Sequence, residues 1–270
     1  MKAMPIYYIN LASAPGRRAE MERQLAALGL VAERVEAVTP ADISAEDLKT
    51  YCNPDRYRWL APTELACSLS HIKAWRQLLA SGAPRAVIFE DDAILSSKLP
   101  AFLNAFPREG NELGLVKIEI CSDRLRAAKR ASYEVAGIEL RSVFGFSGGA
   151  AGYVISAAIG ARIIDREELR HTSLDRGLFD TFGPLSGQLT FLQADPGLAV
   201  QADQLGLSSK LEASTLKPDL EARLNTRTGS TLRSYFNSAR RWVDINIRQG
   251  ARKSYLDATG VRKRKIEFLP

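Results

Sequence analysis

The sequence predicts an α/β domain built on a parallel sheet, and three observations carry that reading. The chain opens as strand, helix and strand. Short apolar runs then alternate with helix-period segments as far as residue 166. One of those runs, residues 86–89, stops abruptly at Glu90, Asp91 and Asp92. A fully buried parallel strand reads as continuous hydrophobics. Ligand crevices in open α/β sheets lie beyond the carboxyl ends of such strands. Three ionised carboxylates there repel one another, so a positive partner is expected. A divalent cation carrying a pyrophosphate meets that need, because Mg2+ or Mn2+ takes one or two carboxylates plus phosphate oxygens. An acidic triplet alone reads as a solvated turn. The sudden passage from buried strand to triple acid favours a ligand site.

Residues 5–11, PIYYINL, read as the first buried strand, followed by a loop over 12–16. A helix is expected over 17–28, with Met21, Leu25 and Leu28 on one face and Gly29 as its stop. Residues 31–38 form the second strand, which implies a right-handed parallel crossover. Arg17 and Arg18 fall in the helix's first turn, where the dipole disfavours positive charge. A phosphate bound there explains them, and so do two ordinary solvated arginines.

Residues 39–57 are polar and irregular, with one short helix over 44–50. A long helix is expected over 63–80, with Leu65, Leu69, Ile72, Trp75, Leu78 and Leu79 at helical spacing. Thr63 suits its cap, and Gly82 and Pro84 its end. His71 sits mid-helix beside Ser70. A lone helical histidine is more often structural than catalytic, but this helix leads straight into the acidic strand.

A helix over 98–106 and a strand over 114–121 come next, then a basic linker over 124–130 and a strand over 139–144. Residues 145–152, GFSGGAAG, let backbone approach a ligand closely. Neither GxGxxG after a strand nor GxxxxGK[ST] is present, which argues against a dinucleotide fold and a P-loop. A strand over 153–155 and a helix over 157–166 follow. Asp175 and Asp180 lie in a loop-like stretch, as general bases or as turn residues, and spacing alone favours the turn. Short strands are expected over 189–192 and 198–201.

From residue 230 to 249 one amphipathic helix is expected, with Leu232, Tyr235, Phe236, Trp242 and Ile247 on its apolar face. Such a basic helix lies on an anionic bilayer or packs on the domain. The net charge is +6. The excess is concentrated after Arg223 and ends in Arg262-Lys263-Arg264-Lys265, which suits an anionic partner. The 46% hydrophobic and 25% charged content is ordinary for a globular protein with a sizeable core. No run approaches the roughly 18 apolar residues of a membrane span. The amino terminus lacks a signal-peptide pattern, so a cytoplasmic location is expected. Cys52, Cys67 and Cys121 read as reduced thiols, not a disulfide set or zinc site. No RNA-binding aromatic motif is present, and nucleic acid is not an expected partner.

Taken in order, INL with Arg17-Arg18 five residues on, ELACSLSHIKAW, VIFEDDAIL, GYVIS, SLD and DPGLAVQ resemble glycosyltransferase family 25. The family comprises bacterial lipooligosaccharide and lipopolysaccharide galactosyltransferases, with collagen galactosyltransferases as relatives. The resemblance covers about residues 5–210. It implies a GT-A-type, Rossmann-like domain binding a nucleotide sugar, usually UDP-galactose, with Mn2+ or Mg2+. That places a catalytic domain at 1–211 and a basic helical extension at 212–270. By the same resemblance, Asp92 and Glu90 hold the metal, and Glu90 touches the ribose or sugar. Asn10, Arg17, Arg18, Ser70, His71, Asp91, Gly152, Tyr153 and Gln201 match nucleotide-sugar-binding positions. Asp175 is the expected base of an inverting transfer, and Asp180 its runner-up. The implied acceptor is a glycan or glycolipid, with peripheral contact to an anionic membrane through the basic tail, on its inner face. A non-catalytic, membrane-associated scaffold with a degenerate transferase fold is the alternative. Two departures stand out: Ala66 replaces a glycine frequent in the family, and the chain after Leu211 lies outside the match.

Overall fold

A computed structural model of the chain describes residues 4–55, 59–107, 113–121, 124–207 and 261–270. The chain opens with β1 (Ile6–Asn10), α1 (Pro15–Ala27) and β2 (Glu33–Glu36). β1 and β2 pair in parallel, Ile9 facing Val35. After α2 (Ala45–Tyr51), α3 (Pro62–Ser81) leads into β3 (Arg85–Glu90), which pairs in parallel with β1 on its other side. β4 (Ala93–Leu95), α4 (Leu99–Ala105), β5 (Leu115–Lys117), β6 (Glu119–Ile120), β7 (Arg124–Ala127), β8 (Tyr133–Val135) and β9 (Ile138–Ser142) follow. The remaining elements are β10 (Gly152–Ser156), α5 (Ala157–Ile163), α6 (Glu168–His171), α7 (Leu174–Phe179), β11 (Leu192–Asp195), β12 (Ala199–Gln201) and β13 (Arg262–Lys265).

The main sheet has eight strands in the order β2-β1-β3-β10-β5-β11-β9-β8. It is mixed, which corrects the expectation of a parallel sheet. β10 runs antiparallel to both β3 and β5. Parallel entry needs a crossover connection, usually a helix. No helix lies among the described residues between β5 and β10; the chain there folds into the β8–β9 ribbon instead.

Successive residues of β1, β3 and β10 feed opposite layers. Tyr7, Ile9, Ile88, Tyr153 and Ile155 pack with Ile72, Trp75 and Leu78 of α3. Ile6, Tyr8, Val87, Phe89 and Val154 pack with Met21 and Leu25 of α1 and Phe102 of α4. Both faces are covered, so these strands carry unbroken apolar runs. α3 starts one residue earlier than expected. Pro62 is its first residue, and Glu64 Oε2, not Thr63, accepts the backbone N–H of Ala61 at 2.8 Å. Gly82 ends it in the left-handed region at φ 68°.

A second sheet, β4-β12-β6, lies past the carboxyl ends of β3 and β5. The turn from β3 to β4 is Asp91-Asp92, so the acids sit in the joint between two sheets. Residues 124–130 are not a plain linker. β7 pairs antiparallel with β13, the basic run Arg262–Lys265. Those four residues form an exposed edge strand, not part of a helical extension. Behind them Ile266 is fully buried with Ile120, Leu125 and Val200. The helix expected over 230–249 and the boundary at 211 lie outside the described residues. Among the described residues no helix is long and apolar enough to cross a membrane.

Candidate functional site

The three acids at the end of β3 have three different surroundings. Asp91 is buried, 6% exposed. One of its oxygens accepts from Asn10 Nδ2 at 2.7 Å, and the other faces Arg17 Nη2 at 2.6 Å. Asn10 is itself held, its Oδ1 accepting from Arg34 Nε at 3.0 Å. Asp91 is therefore a fastening between β1, α1 and the acidic turn. Asp92 lies 3.3 Å from Arg17 Nη2 through Oδ2, while its buried Oδ1 has no hydrogen-bond partner. Burial, then the charge of Glu90, pushes its carboxyl up to about 7. Glu90 Oε1 lies 3.1 Å from His71 Nε2, and burial, then the Asp91 charge, pushes this carboxyl up to about 7 as well.

The basic start of α1 is accounted for by these acids. Arg17 is buried against Asp91 and Asp92, which outweighs an unfavourable helix dipole. Arg18 points away and pairs with Glu22 at 2.8 Å, half exposed.

α3 brings Ser70 and His71 beneath the joint. Ser70 Oγ accepts the Val38 N–H at 2.8 Å and donates to Ala66 O at 2.7 Å, tying the helix to the chain after β2. His71 Nδ1 lies 2.8 Å from the Tyr153 hydroxyl, which also accepts from Trp75 Nε1 at 2.9 Å. Burial pulls the His71 ring down to about 3, so it is neutral. Tyr153 is wholly buried and serves from beneath. Gly152 is a packing glycine, since a Cβ there would lie 3.0 Å from Ala199 Cβ. Gln201 closes the second sheet opposite Ala93, and the next residue, Ala202, donates its N–H to Asp92 O at 2.9 Å.

Two charged residues at the site were missed by sequence reasoning. Lys117 and Glu119 are both wholly buried. Lys117 Nζ donates to Ser147 O at 3.0 Å and to Gly148 O, and lies 3.7 Å from Glu119 Oε2. Glu119 Oε2 accepts the Ala151 N–H at 2.8 Å, and its Oε1 has no hydrogen-bond partner. Burial is the first cause that pushes Glu119 up to about 7, and the charges of Glu90 and Asp92 add to it. The signal was present in LVKIEI, where Lys117 and Glu119 alternate with Val116, Ile118 and Ile120. Period-two alternation inside a strand aims both charges to one side.

Asp175 belongs to α7, not a loop, and accepts the Gly149 N–H at 3.2 Å. Asp180 follows that helix, accepts the Phe182 N–H at 3.1 Å and faces Arg176 at 3.5 Å, as a turn residue does. The glycine-rich loop is thus pinned from two sides, by Lys117 on its carbonyls and Asp175 on an N–H.

The sequence profile described as "Glycosyltransferase family 25 (LPS biosynthesis protein)" matches residues 3–169. The chain belongs to glycosyltransferase family 25. It is 26% identical over 211 residues to "Lacto-N-neotetraose biosynthesis glycosyltransferase LgtE" of Neisseria gonorrhoeae, covering 73% of this chain and 74% of that protein. It is 34% identical over 95 residues to "Inactive glycosyltransferase 25 family member 3" of Mus musculus, covering 32% of this chain. That match spans only 16% of the mouse protein's length.

In this family 25 chain two acids near the joint each keep an oxygen of the kind a hard divalent cation takes. Asp92 Oδ1 and Glu119 Oε1 are buried carboxylate oxygens without partners, and carboxylates are the ligands Mg2+ and Mn2+ prefer. Cys67 Sγ, His71 and Glu90 also lie within 4.8 Å of one another. Both ring nitrogens of His71 are already engaged, so hydrogen bonding accounts for that cluster.

Proposed function

We propose that the chain transfers a hexose from a nucleotide sugar to a saccharide of the lipooligosaccharide or lipopolysaccharide class. UDP-galactose is the proposed donor and Mn2+ or Mg2+ the assisting cation. The observation that carries the reading is Asp92, a partly exposed carboxylate at a strand's carboxyl end with one buried oxygen that has no partner. The family and the name of the gonococcal relative support saccharide transfer. Galactose and uridine rest on the family resemblance.

Asp92 and Glu90 would hold the cation, which when bound neutralises the leaving diphosphate as a Lewis acid. Arg17 keeps the acidic turn in place through Asp91 and Asp92. Asp175 is the base of an inverting transfer. Its carboxylate takes the acceptor hydroxyl's proton as the sugar–phosphate bond breaks. The Gly149 N–H holds that carboxylate against the loop.

The test is UDP release from a panel of UDP-sugars, with and without Mn2+, on the natural chain and on Asp92→Ala. Metal-dependent release from one donor, lost in the variant, supports the reading and names the sugar. Neither binding nor release with any donor would sink it. The mouse relative's name raises a second reading, a non-catalytic scaffold. UDP binding without turnover on any saccharide acceptor selects that one. We place the chain at the inner face of an anionic membrane, held through the basic edge strand β13 and the basic stretch before it. Flotation with anionic vesicles that weakens with salt tests the placement.

A further inference from the structure

We infer that Tyr153 and Trp75 are positioning residues: they fix His71 as the Nε2–H tautomer, so that it donates to Glu90 and sets where that carboxylate points. The catalytic consequence rests on the transferase reading. The tautomer does not.

Four side chains form one directed chain. Trp75 Nε1 lies 2.9 Å from the Tyr153 hydroxyl, which lies 2.8 Å from His71 Nδ1, and Nε2 lies 3.1 Å from Glu90 Oε1. An indole N–H only donates, so the tyrosine oxygen must accept from Trp75. Its own proton then points to the nitrogen nearby, and Nδ1 accepts it. Once Glu90 is ionised its carboxylate only accepts, so Nε2 then carries the ring proton. Both ends of the chain demand the same tautomer. The reverse arrangement sets two donors, Trp75 N–H and His71 Nδ1–H, on the tyrosine oxygen. It leaves the hydroxyl proton without this acceptor.

Trp75 and Tyr153 are 0% exposed and His71 1%, so solvent does not compete for these bonds. The rings are also braced by packing. His71 stacks on Tyr153 with centroids 5.7 Å apart, and Tyr153 meets Phe179 edge-on at 5.7 Å. Glu90 is the end of the chain that reaches the joint, with 18% of its side chain exposed. A second-sphere group that orients the residue touching a ligand is a recurring device, and its loss commonly costs about 10-fold or more.

The chain has two histidines, which makes the test direct. Long-range proton–nitrogen spectra of histidine-labelled protein at pH 8, where Glu90 is ionised, are expected to show one ring as the neutral Nε2–H form. Tyr153→Phe is expected to mix the tautomers and to lower kcat/KM for UDP release about 10-fold. In a Glu90→Ala background the same substitution is expected to change kcat/KM by less than about twofold, since its route is gone. An Nδ1–H tautomer in the natural chain overturns the inference. So do multiplicative losses in the double variant, which mark a merely structural role. If Tyr153→Phe does not fold, Trp75→Phe takes its place, and the unsubstituted spectrum still decides the tautomer. A chain that shows the Nε2–H form yet turns over no donor refutes the transferase reading alone.

Discussion

Adjacent acids of one turn are expected to respond with opposite signs. Asp91 accepts from Asn10 at 2.7 Å and faces Arg17 at 2.6 Å, while Asp92 has a buried oxygen with no partner. In Asp91→Asn the new amide sets an N–H2 group against one of two donors. Arg17 loses its closest counter-charge in a buried place. Breaking one side of a buried pair costs about 3–5 kcal/mol. The Asn10 contact, a hydrogen bond to a charged group, lies within that sum. Asp92→Asn acts in the other direction. Its carboxyl is pushed up to about 7 by burial and by Glu90, so at pH 8 the folded state carries an ionised group it disfavours. A neutral amide removes that cost and keeps an acceptor toward Arg17. A gain of about 1 kcal/mol is expected once the weakened attraction to Arg17 is set against it. Urea unfolding in chelator at pH 8, followed by tryptophan fluorescence, reads both. The midpoint should fall for Asp91→Asn and rise for Asp92→Asn. A shift in the same direction for both, or an Asp91→Asn loss below about 0.5 kcal/mol, refutes the assignment of Asp91 as fastening and Asp92 as ligand.

Asp175→Asn is expected to leave UDP affinity intact and to lower turnover about 10²- to 10⁴-fold. Normal turnover would remove Asp175 as base. Gly149→Ala is expected to lose at least about 2 kcal/mol, measured by urea midpoint. Its φ is +82°, and the new Cβ would stand 2.4 Å from Glu119 Oε1. Metal-free protein should lose stability as pH rises. Glu90, Asp92 and Glu119 are each pushed up to about 7. Below about pH 4 both states hold these protons and the contribution is complete; it is lost as pH passes through about 7. Adding Mn2+ at pH 8 should recover it, and a melting temperature that rises from pH 5 to 8 without metal would contradict the linkage.

The chain's opening was legible because its signals are local. Unbroken apolar runs gave β1 and β3, and Gly29 and Gly82 marked the helix ends. The oddity of Arg17 in a helix's first turn left open a bound phosphate or an ordinary solvated arginine. Its partners proved to be Asp91 and Asp92, carboxylates far along this chain. Lys117 and Glu119 escaped notice because two charges in a strand look like surface, and only burial from both sides shows otherwise. Asp175 read as a turn residue because α7 spans six residues, too short for periodicity to register.

By itself the sequence determined the alternation of strand and helix, the place of the acidic turn and the family, since each depends on residues near one another or on ordered motifs. The tertiary structure decided the mixed direction of the sheet, the return of residues 262–265 as an edge strand, and the different tasks of three neighbouring acids. Those depend on which distant groups meet a side chain and on how much water they exclude. An ionisable group's role is set by that surrounding, not by its neighbours along the chain.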